Sequence, residues 1–561
     1  MDDRPNLSEF LNEVSSFSEE AAPPPKASAQ AALAPMGSVV EIAGSGSQIR
    51  MDTAMLLALQ GHSDPSIAMS GQVGSQVKMV VGNNWLIANV RTMREAAEGD
   101  VVAHVDFLGE GTKTANGSMG NFRRGVTRYP IPGSKVLPVS TDDLRSIFAA
   151  SDEPHVEIGT VYPTDDIRGA LYVDPMLSKH FAILGSTGTG KSTSVALILH
   201  RISQLSPEGH IVMIDPHGEY SAAFKNCGEI FNVDNLQLPY WLMNFDEHCE
   251  VMLTTHGADR QRDADILAKC LLAARTKGKD VSQYGKVTVD SPIPYLLADL
   301  NTILVNEMGK LDRAGDTLPF QRLKTKLDEL RQDPRYTFMF SGMLVSDSMP
   351  GLLAKLFRLP SLGRPISIVD VSGVPSEVTS VVVSVLARMV FDYAIWSRTE
   401  AQRPLLLVCE EAHRYVPKDE NSETGQAVRR ILERIAKEGR KYGVSLGLIT
   451  QRPSDLAEGV LSQCGTIISM RLNNDRDQAC VRAAMPEGAR GFLDAIPALR
   501  NRECIVCGEG VAIPIRVRFD DLEPEKRPAS SDPSFARLWR ETGDEAGIIQ
   551  RTIKRWRGHG R

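Results

Sequence analysis

This chain has no excess of positive charge: 63 Lys and Arg stand against 70 Asp and Glu, a formal net charge of −7 over 561 residues. Attraction of the whole molecule to nucleic acid is therefore excluded, and any such affinity has to come from local basic surfaces or a charged channel. It also lacks a long unbroken apolar run. The most apolar stretch, SVVVSVLARMVFDYAIW, is interrupted by Arg388 and Asp392, whereas a membrane-spanning helix needs about 20 apolar residues with few or no charges. That stretch reads as a buried helix, and no membrane segment is expected. The start, MDDRPNLSEF, is acidic and polar and shows no signal-peptide pattern. The eight cysteines are scattered, which suits a reducing cytoplasm better than a disulfide framework. One CxxC, Cys504 to Cys507 in ECIVCGE, has no second pair at a zinc-like spacing, so ordinary core thiols are expected there. No internal repeat and no nuclease motif is evident.

What is present is ordinary globular composition, 42% hydrophobic and 24% charged, in a chain long enough for several domains. Residues 1–35, with AAPPPKASAQAALAP, read as a flexible leader. Over 36–150 short β-type runs such as SVVEIAG, QVKMVVG, WLIANVRT and VVAHVDFLG are punctuated by Gly, Asn and Asp, the texture of a small antiparallel barrel. Over 151–519 apolar strands (HFAILG, HIVMIDP, ISIVDVSG, LLLVCEE, VSLGLIT, TIISMRL) alternate with helical stretches. That pattern predicts an α/β fold with a mainly parallel sheet, carrying a polar helical insertion at about 228–360. Residues 520–561 read as a linker, EPEKRPASSDPS, and a basic helix, IIQRTIKRWRGHGR.

The chemistry concentrates in four places. GSTGTGKST, Gly185, Ser186, Thr187, Gly188, Thr189, Gly190, Lys191, Ser192 and Thr193, fits GxxxxGK[ST] between a strand and a helix. Its glycines let backbone N–H groups converge on phosphate oxygens at a helix N-terminus. Lys191 is expected to reach the β- and γ-phosphates of ATP and Ser192 to ligate Mg²⁺. In LLLVCEEAH, an apolar strand delivers two carboxylates: Glu410 for the Mg²⁺ shell and Glu411 to polarise the attacking water. A surface Glu pair capping the next helix is the alternative. Asp215, in VMIDPHGEY, either supports the metal or water shell or simply organises a DP turn, and His217 is expected to bond locally. In EGRKYGVSLGLITQRPSDL, Gln451 follows a strand where it would sense the γ-phosphate or position water. Arg440 precedes that strand and is the candidate arginine finger, acting from a neighbouring subunit, against the plainer reading of a helix-end arginine. On the helix before it, Val428, Ile431, Leu432 and Ile435 share one face. Arg430, Arg434, Lys437 and Lys441 form a basic stripe opposite, either a channel lining or solvated surface. The polar loop PKDENSETG is a further channel-loop candidate.

Together LGSTGTGKST, IDPHGEY, EEAHRYVP and EGRKYGVSLGLITQRPSDL, in that order, resemble the HerA family within the HerA and FtsK group of RecA-like motor ATPases, over nearly the whole chain except the leader. The resemblance implies a RecA-like P-loop core behind an N-terminal barrel, and a homohexameric ring that hydrolyses ATP at subunit interfaces and moves double-stranded DNA through its pore. It also places Lys179 where the family has a basic residue helping the site, often arginine, whose fork geometry lysine lacks. A partner nuclease, NurA-like, or a sirtuin-like or nuclease-like defence effector is implied as well. The residues leave three readings open: a DNA-translocating ATPase or helicase, an ATP-regulated scaffold for an effector, and a peripheral motor of a conjugation or secretion system.

Overall fold

The computed structural model describes residues 34–558 apart from 97–98, 115–116, 278–284, 311–313, 342–344, 420–424, 486–488, 530–533, 542 and 544. The expected leader therefore lies outside the described residues except at its last two positions, as does most of the PKDENSETG loop.

The first unit is built from β1 (Gly37–Ile42), β2 (Gly46–Met51), β3 (Gln76–Val81), β4 (Asn84–Glu95), β5 (Val101–Lys113), β6 (Met119–Arg124) and β7 (Lys135–Pro138). The strands run in the order β2-β1-β7-β3-β4-β5-β6, and β2 also pairs antiparallel with β5. That extra ladder closes six antiparallel strands into a barrel, which removes the open edges a sheet would otherwise present. Its interior is a separate apolar cluster including Ile49, Met51, Val77, Met79, Leu86, Val105 and Val136. The texture of short β-runs in the sequence is this barrel.

The second unit is one eleven-stranded sheet. Its strands are β8 (His155–Val161), β9 (Arg168–Tyr172), β10 (Phe181–Leu184), β11 (Ile211–Asp215), β12 (Gly228–Phe231), β13 (Ile366–Asp370), β14 (Leu405–Cys409), β15 (Val444–Thr450), β16 (Thr466–Met470), β17 (Glu503–Gly508) and β18 (Ile515–Phe519). The order is β12-β13-β11-β14-β15-β10-β16-β17-β18-β8-β9. The first seven are parallel and the last four antiparallel. Every residue of β10, β11, β14, β15 and β16 is buried, because helices cover both faces, and this is why these strands read as unbroken apolar runs. The α/β class read from the sequence is the observed one.

The insertion starts later than its expected boundary near residue 228. Gly228–Phe231 is instead the edge strand β12, paired in parallel with β13; four residues, GEIF, are too few for a periodic signal. The helices follow at Phe245–Met252, Gly257–Thr276, Leu297–Met308 and Ala314–Gln332. The apolar stretch forms the helix Ser376–Trp396, long and apolar enough to cross a membrane by length and composition, but packed inside the protein over most of its length. Its internal arginine explains the break in the run. Arg388 donates from Nη2 to Glu247 Oε2 at 3.0 Å and from Nη1 to Asp392 Oδ2 at 3.1 Å. Glu247 is fully buried and also accepts from Ser384 Oγ at 2.8 Å. All eight cysteines are free thiols, and Cys504 and Cys507 are buried in β17 as core residues. Past the sheet, Asp520 accepts from Arg168 and Arg201, and the Ala529 N–H bonds to Glu219 O at 2.8 Å. The expected linker is therefore pinned to the core at its start, and the basic helix is Glu545–Gly558.

Replacing Arg388 with Ala leaves Glu247 charged and buried without its partner, a change that costs about 3–5 kcal/mol. Urea unfolding followed by tryptophan fluorescence should show the midpoint falling accordingly, whereas Asp392→Ala, which removes a half-exposed partner, should shift it far less.

Candidate nucleotide site

The C-terminal ends of β14, β15 and β10, consecutive in the sheet, bring the predicted residues together, at the edge where parallel α/β sheets bind ligands. After β10 the chain turns through the glycine loop into the helix Lys191–Leu205. A Cβ on Gly185 would stand 2.9 Å from Met470 Cβ, and Gly190 has φ +93°, a conformation that side chains resist. The loop is fastened to its neighbours: Gly185 N–H bonds to Thr450 O at 3.3 Å and Ser186 N–H to Arg471 O at 3.0 Å. Thr189 Oγ1 donates to Ser186 O at 2.8 Å. Ser192 and Thr193 lie in the first helical turn, partly buried.

Lys191 is buried, with Nζ 3.3 Å from Glu410 Oε1 and 3.6 Å from Glu411 Oε1. Both carboxylates are buried as well, and Glu411 has φ +51° and no capping hydrogen bond to the turn that follows. The alternative of a surface pair capping the next helix does not describe this arrangement. Burial pushes the Glu410 carboxyl up to about 7, with Lys191 opposing the shift and Glu411 adding to it. Gln451 joins the strand ends: its Nε2 donates to Glu411 Oε1 at 3.0 Å, and its Oε1 accepts the Thr187 hydroxyl.

Asp215 lies one strand over, fully buried, and burial raises its carboxyl above the usual range. Both oxygens are taken by its own turn: Oδ1 accepts from the N–H groups of His217 (3.1 Å) and Gly218 (2.9 Å), Oδ2 from that of Tyr220 (2.9 Å). The turn reading is thus the geometry observed, and its product is the placement of Tyr220. The Tyr220 hydroxyl donates to Glu410 Oε2 at 3.3 Å. A second residue not singled out from sequence is His413. Its Nδ1 is 3.0 Å from Thr450 Oγ1 and 3.2 Å from Glu411 Oε2, and the latter oxygen has no hydrogen bond. Burial lowers the His413 imidazole below its ordinary value. Both residues stand inside quoted motifs, IDPHGEY and EEAH, but only the folded turns show that they face the carboxylates.

This donor set fits Mg²⁺. The Ser192 hydroxyl and the Glu410 carboxylate are hard oxygen donors beside one buried lysine, and Mg²⁺ takes one or two protein oxygens plus substrate phosphates. Bound there, Mg²⁺ would neutralise charge on the phosphates. Among the described residues no group of three or more His, Cys, Asp or Glu could hold a metal, so a cation here would draw most of its ligands from phosphate and water.

Two predicted residues are not brought to the loop. Arg440 is exposed in the turn Gly439–Tyr442, before β15, whereas Gln451 follows its end; seven strand residues separate them by about 23 Å. Lys179 precedes β10 and is ion-paired with Glu509. A cavity of about 830 Å³, lined in part by Arg440, Arg403, His210 and Glu208, opens at that same end of the sheet, remote from the phosphate loop. The basic stripe on the helix Gln426–Glu438 is largely paired within the chain. Arg430 meets Asp246 at 2.9 Å, Arg434 meets Glu438 at 3.4 Å and lies over Phe391, and Lys437 is 4.0 Å from Glu433. The opposite face, Val428, Ile431, Leu432 and Ile435, is buried as its spacing predicted.

Lys191→Ala should abolish ATP binding measured by equilibrium titration, and with it phosphate release. Glu411→Ala should abolish phosphate release yet retain nucleotide. Gln451→Ala, which removes the hydrogen bond to Glu411 Oε1, should lower kcat by about 10²-fold, the scale of one lost positioning or general-base contact, with ATP affinity within about twofold of wild type.

Comparison with known proteins agrees with this geometry. Residues 156–390 match the family model described as the central domain of helicase HerA. The DNA double-strand break repair helicase HerA of Pyrococcus furiosus is 25% identical over 85% of this chain and 89% of its own length. Its counterpart in Sulfolobus acidocaldarius is 25% identical over 76% and 80%. Among solved structures, VirB4 of Thermoanaerobacter pseudethanolicus aligns with a TM-score of 0.47 and 15% identity over 67% of this chain and 99% of that one. The glycine loop, the paired carboxylates and the two HerA relatives converge: residues 156–390 are a HerA-type central domain, and the chain is an ATP-hydrolysing P-loop enzyme.

Proposed function

We propose that this chain works as a homohexameric ring that hydrolyses ATP between neighbouring copies to move double-stranded DNA, together with a partner nuclease or defence effector, in the cytoplasm. The observation that carries the reading is the separation of charges along the sheet. Lys191 is the cation placed between Glu410 and Glu411, while Arg440 and Lys179 stand at the opposite end of the same strands. An added arginine on the transferring phosphoryl group raises turnover by about 10³–10⁵-fold in enzymes of this kind. Within one copy Arg440 does not reach its own loop, so a second copy supplies it. A ring of such contacts closes when each subunit presents one end to the next.

In this reading Glu411 polarises the attacking water, held by Gln451, while Lys191 and the loop amides bind the β- and γ-phosphates. Support for double-stranded DNA comes from the curated relatives, named as DNA double-strand break repair helicases. With a net charge of −7, binding must be confined to a local lining. The closed barrel and the basic helix Glu545–Gly558, with Ile548, Ile549 and Trp556 exposed, supply surfaces for the partner.

ATP hydrolysis measured with and without linear duplex DNA, on protein whose mass in solution is determined in parallel, tests this reading. A hexamer whose turnover rises severalfold with DNA is expected. Protein that stays monomeric with every nucleotide and hydrolyses ATP at a rate indifferent to DNA would contradict it.

A further inference from the structure

The turn IDPHGEY ends in a fully buried tyrosine that no role assigned above uses. Its backbone is fixed: Tyr220 N–H donates to Asp215 Oδ2 at 2.9 Å, and Asp215 is itself held by the N–H groups of His217 and Gly218. Gly218 has φ +69°, and a Cβ there would stand 3.0 Å from Asp370 Oδ2 at the end of the neighbouring strand, so the turn has little room to relax. This rigid turn aims the phenol at the end of β14. There the hydroxyl donates to Glu410 Oε2 at 3.3 Å.

Glu410 Oε1 is held by Lys191 at 3.3 Å, a contact that must change when Lys191 turns to phosphate. Glu410 Oε2 is held by Tyr220, on the separate turn after β11. We propose that Tyr220 is a positioning residue of the Mg²⁺ site, its hydroxyl holding Glu410 Oε2 so that the carboxylate stands ready for the cation. The inference rests on the proposed assignment of Glu410 to Mg²⁺. Groups that orient metal ligands typically govern metal affinity by about 10–100-fold. Asp215 acts one step further back, through the Tyr220 backbone, which gives this buried carboxylate a function without direct contact with the metal.

Tyr220→Phe removes one oxygen and keeps the ring that fills the core. The test is equilibrium binding of a fluorescent ADP analogue to the full chain, titrated with Mg²⁺ and repeated in EDTA. Wild-type protein should gain affinity with Mg²⁺; Tyr220→Phe should need about 10-fold more Mg²⁺ for half of that gain, with affinity in EDTA within about twofold of wild type. An unchanged Mg²⁺ midpoint would overturn the proposal, and so would an equal loss of affinity with and without Mg²⁺, the mark of a packing defect. Glu410→Gln separates the two levels of inference. If it keeps the wild-type Mg²⁺ response, the metal assignment fails; if it loses the response while Tyr220→Phe is normal, only the role of Tyr220 fails.

Discussion

One buried lysine shared by two buried carboxylates is the constraint on which this protein's chemistry depends. Burying ions costs several kcal/mol each unless they are paired and hydrogen-bonded, and here Lys191 alone stands between Glu410 and Glu411. Burial pushes the Glu410 carboxyl up to about 7 even with Lys191 opposing the shift. Glu411 Oε2 is buried with His413 Nδ1 3.2 Å away. The architecture serves that constraint. Parallel strands buried on both faces put β14, β15 and β10 side by side, so the lysine, the two glutamates and Gln451 meet without a mobile loop to carry them.

Much of this was legible in the residues. HFAILGSTGTGKST announces strand, loop and helix because the glycines have a steric purpose that no other residue serves at Gly190. LLLVCEEAH announces a buried strand ending in charge. The charged break in SVVVSVLARMVFDYAIW separated a core helix from a membrane span, and Arg388 is indeed the residue that neutralises Glu247. Other features were not legible, for physical reasons. The strand Gly228–Phe231 is stabilised by a neighbour more than a hundred residues away, so its four residues carry no periodic signal of their own. The residues leave the basic stripe of the helix Gln426–Glu438 open between channel lining and solvated surface, and its partners Asp246 and Glu433 come from packing and from the helix itself. Asp215 was read as a choice between metal or water shell and turn; the fold shows the turn, whose far end puts a hydroxyl on Glu410. Spacing fixed the motif but not the direction in which its tyrosine points.

The two ends of the sheet differ in kind. One end gathers the phosphate loop and its carboxylates; the other exposes Arg440, the Lys179–Glu509 pair and a cavity of about 830 Å³. In the proposed ring each subunit presents Arg440 to the phosphate loop of the next, a head-to-tail contact of the kind that generates rings. In such an assembly the barrel, closed on itself and with its own core, is free to serve as a docking module, while hydrolysis is coupled to movement between subunits.

The central claim, that a second copy completes the nucleotide site, is tested most directly by mixing two inactive proteins. Arg440→Ala retains an intact phosphate loop, and Lys191→Ala retains an intact arginine. Assemblies shown by mass to contain both should recover part of the wild-type ATP hydrolysis, because some interfaces then combine the intact loop with the intact arginine. Mixed assemblies that remain as inactive as either protein alone would contradict the account.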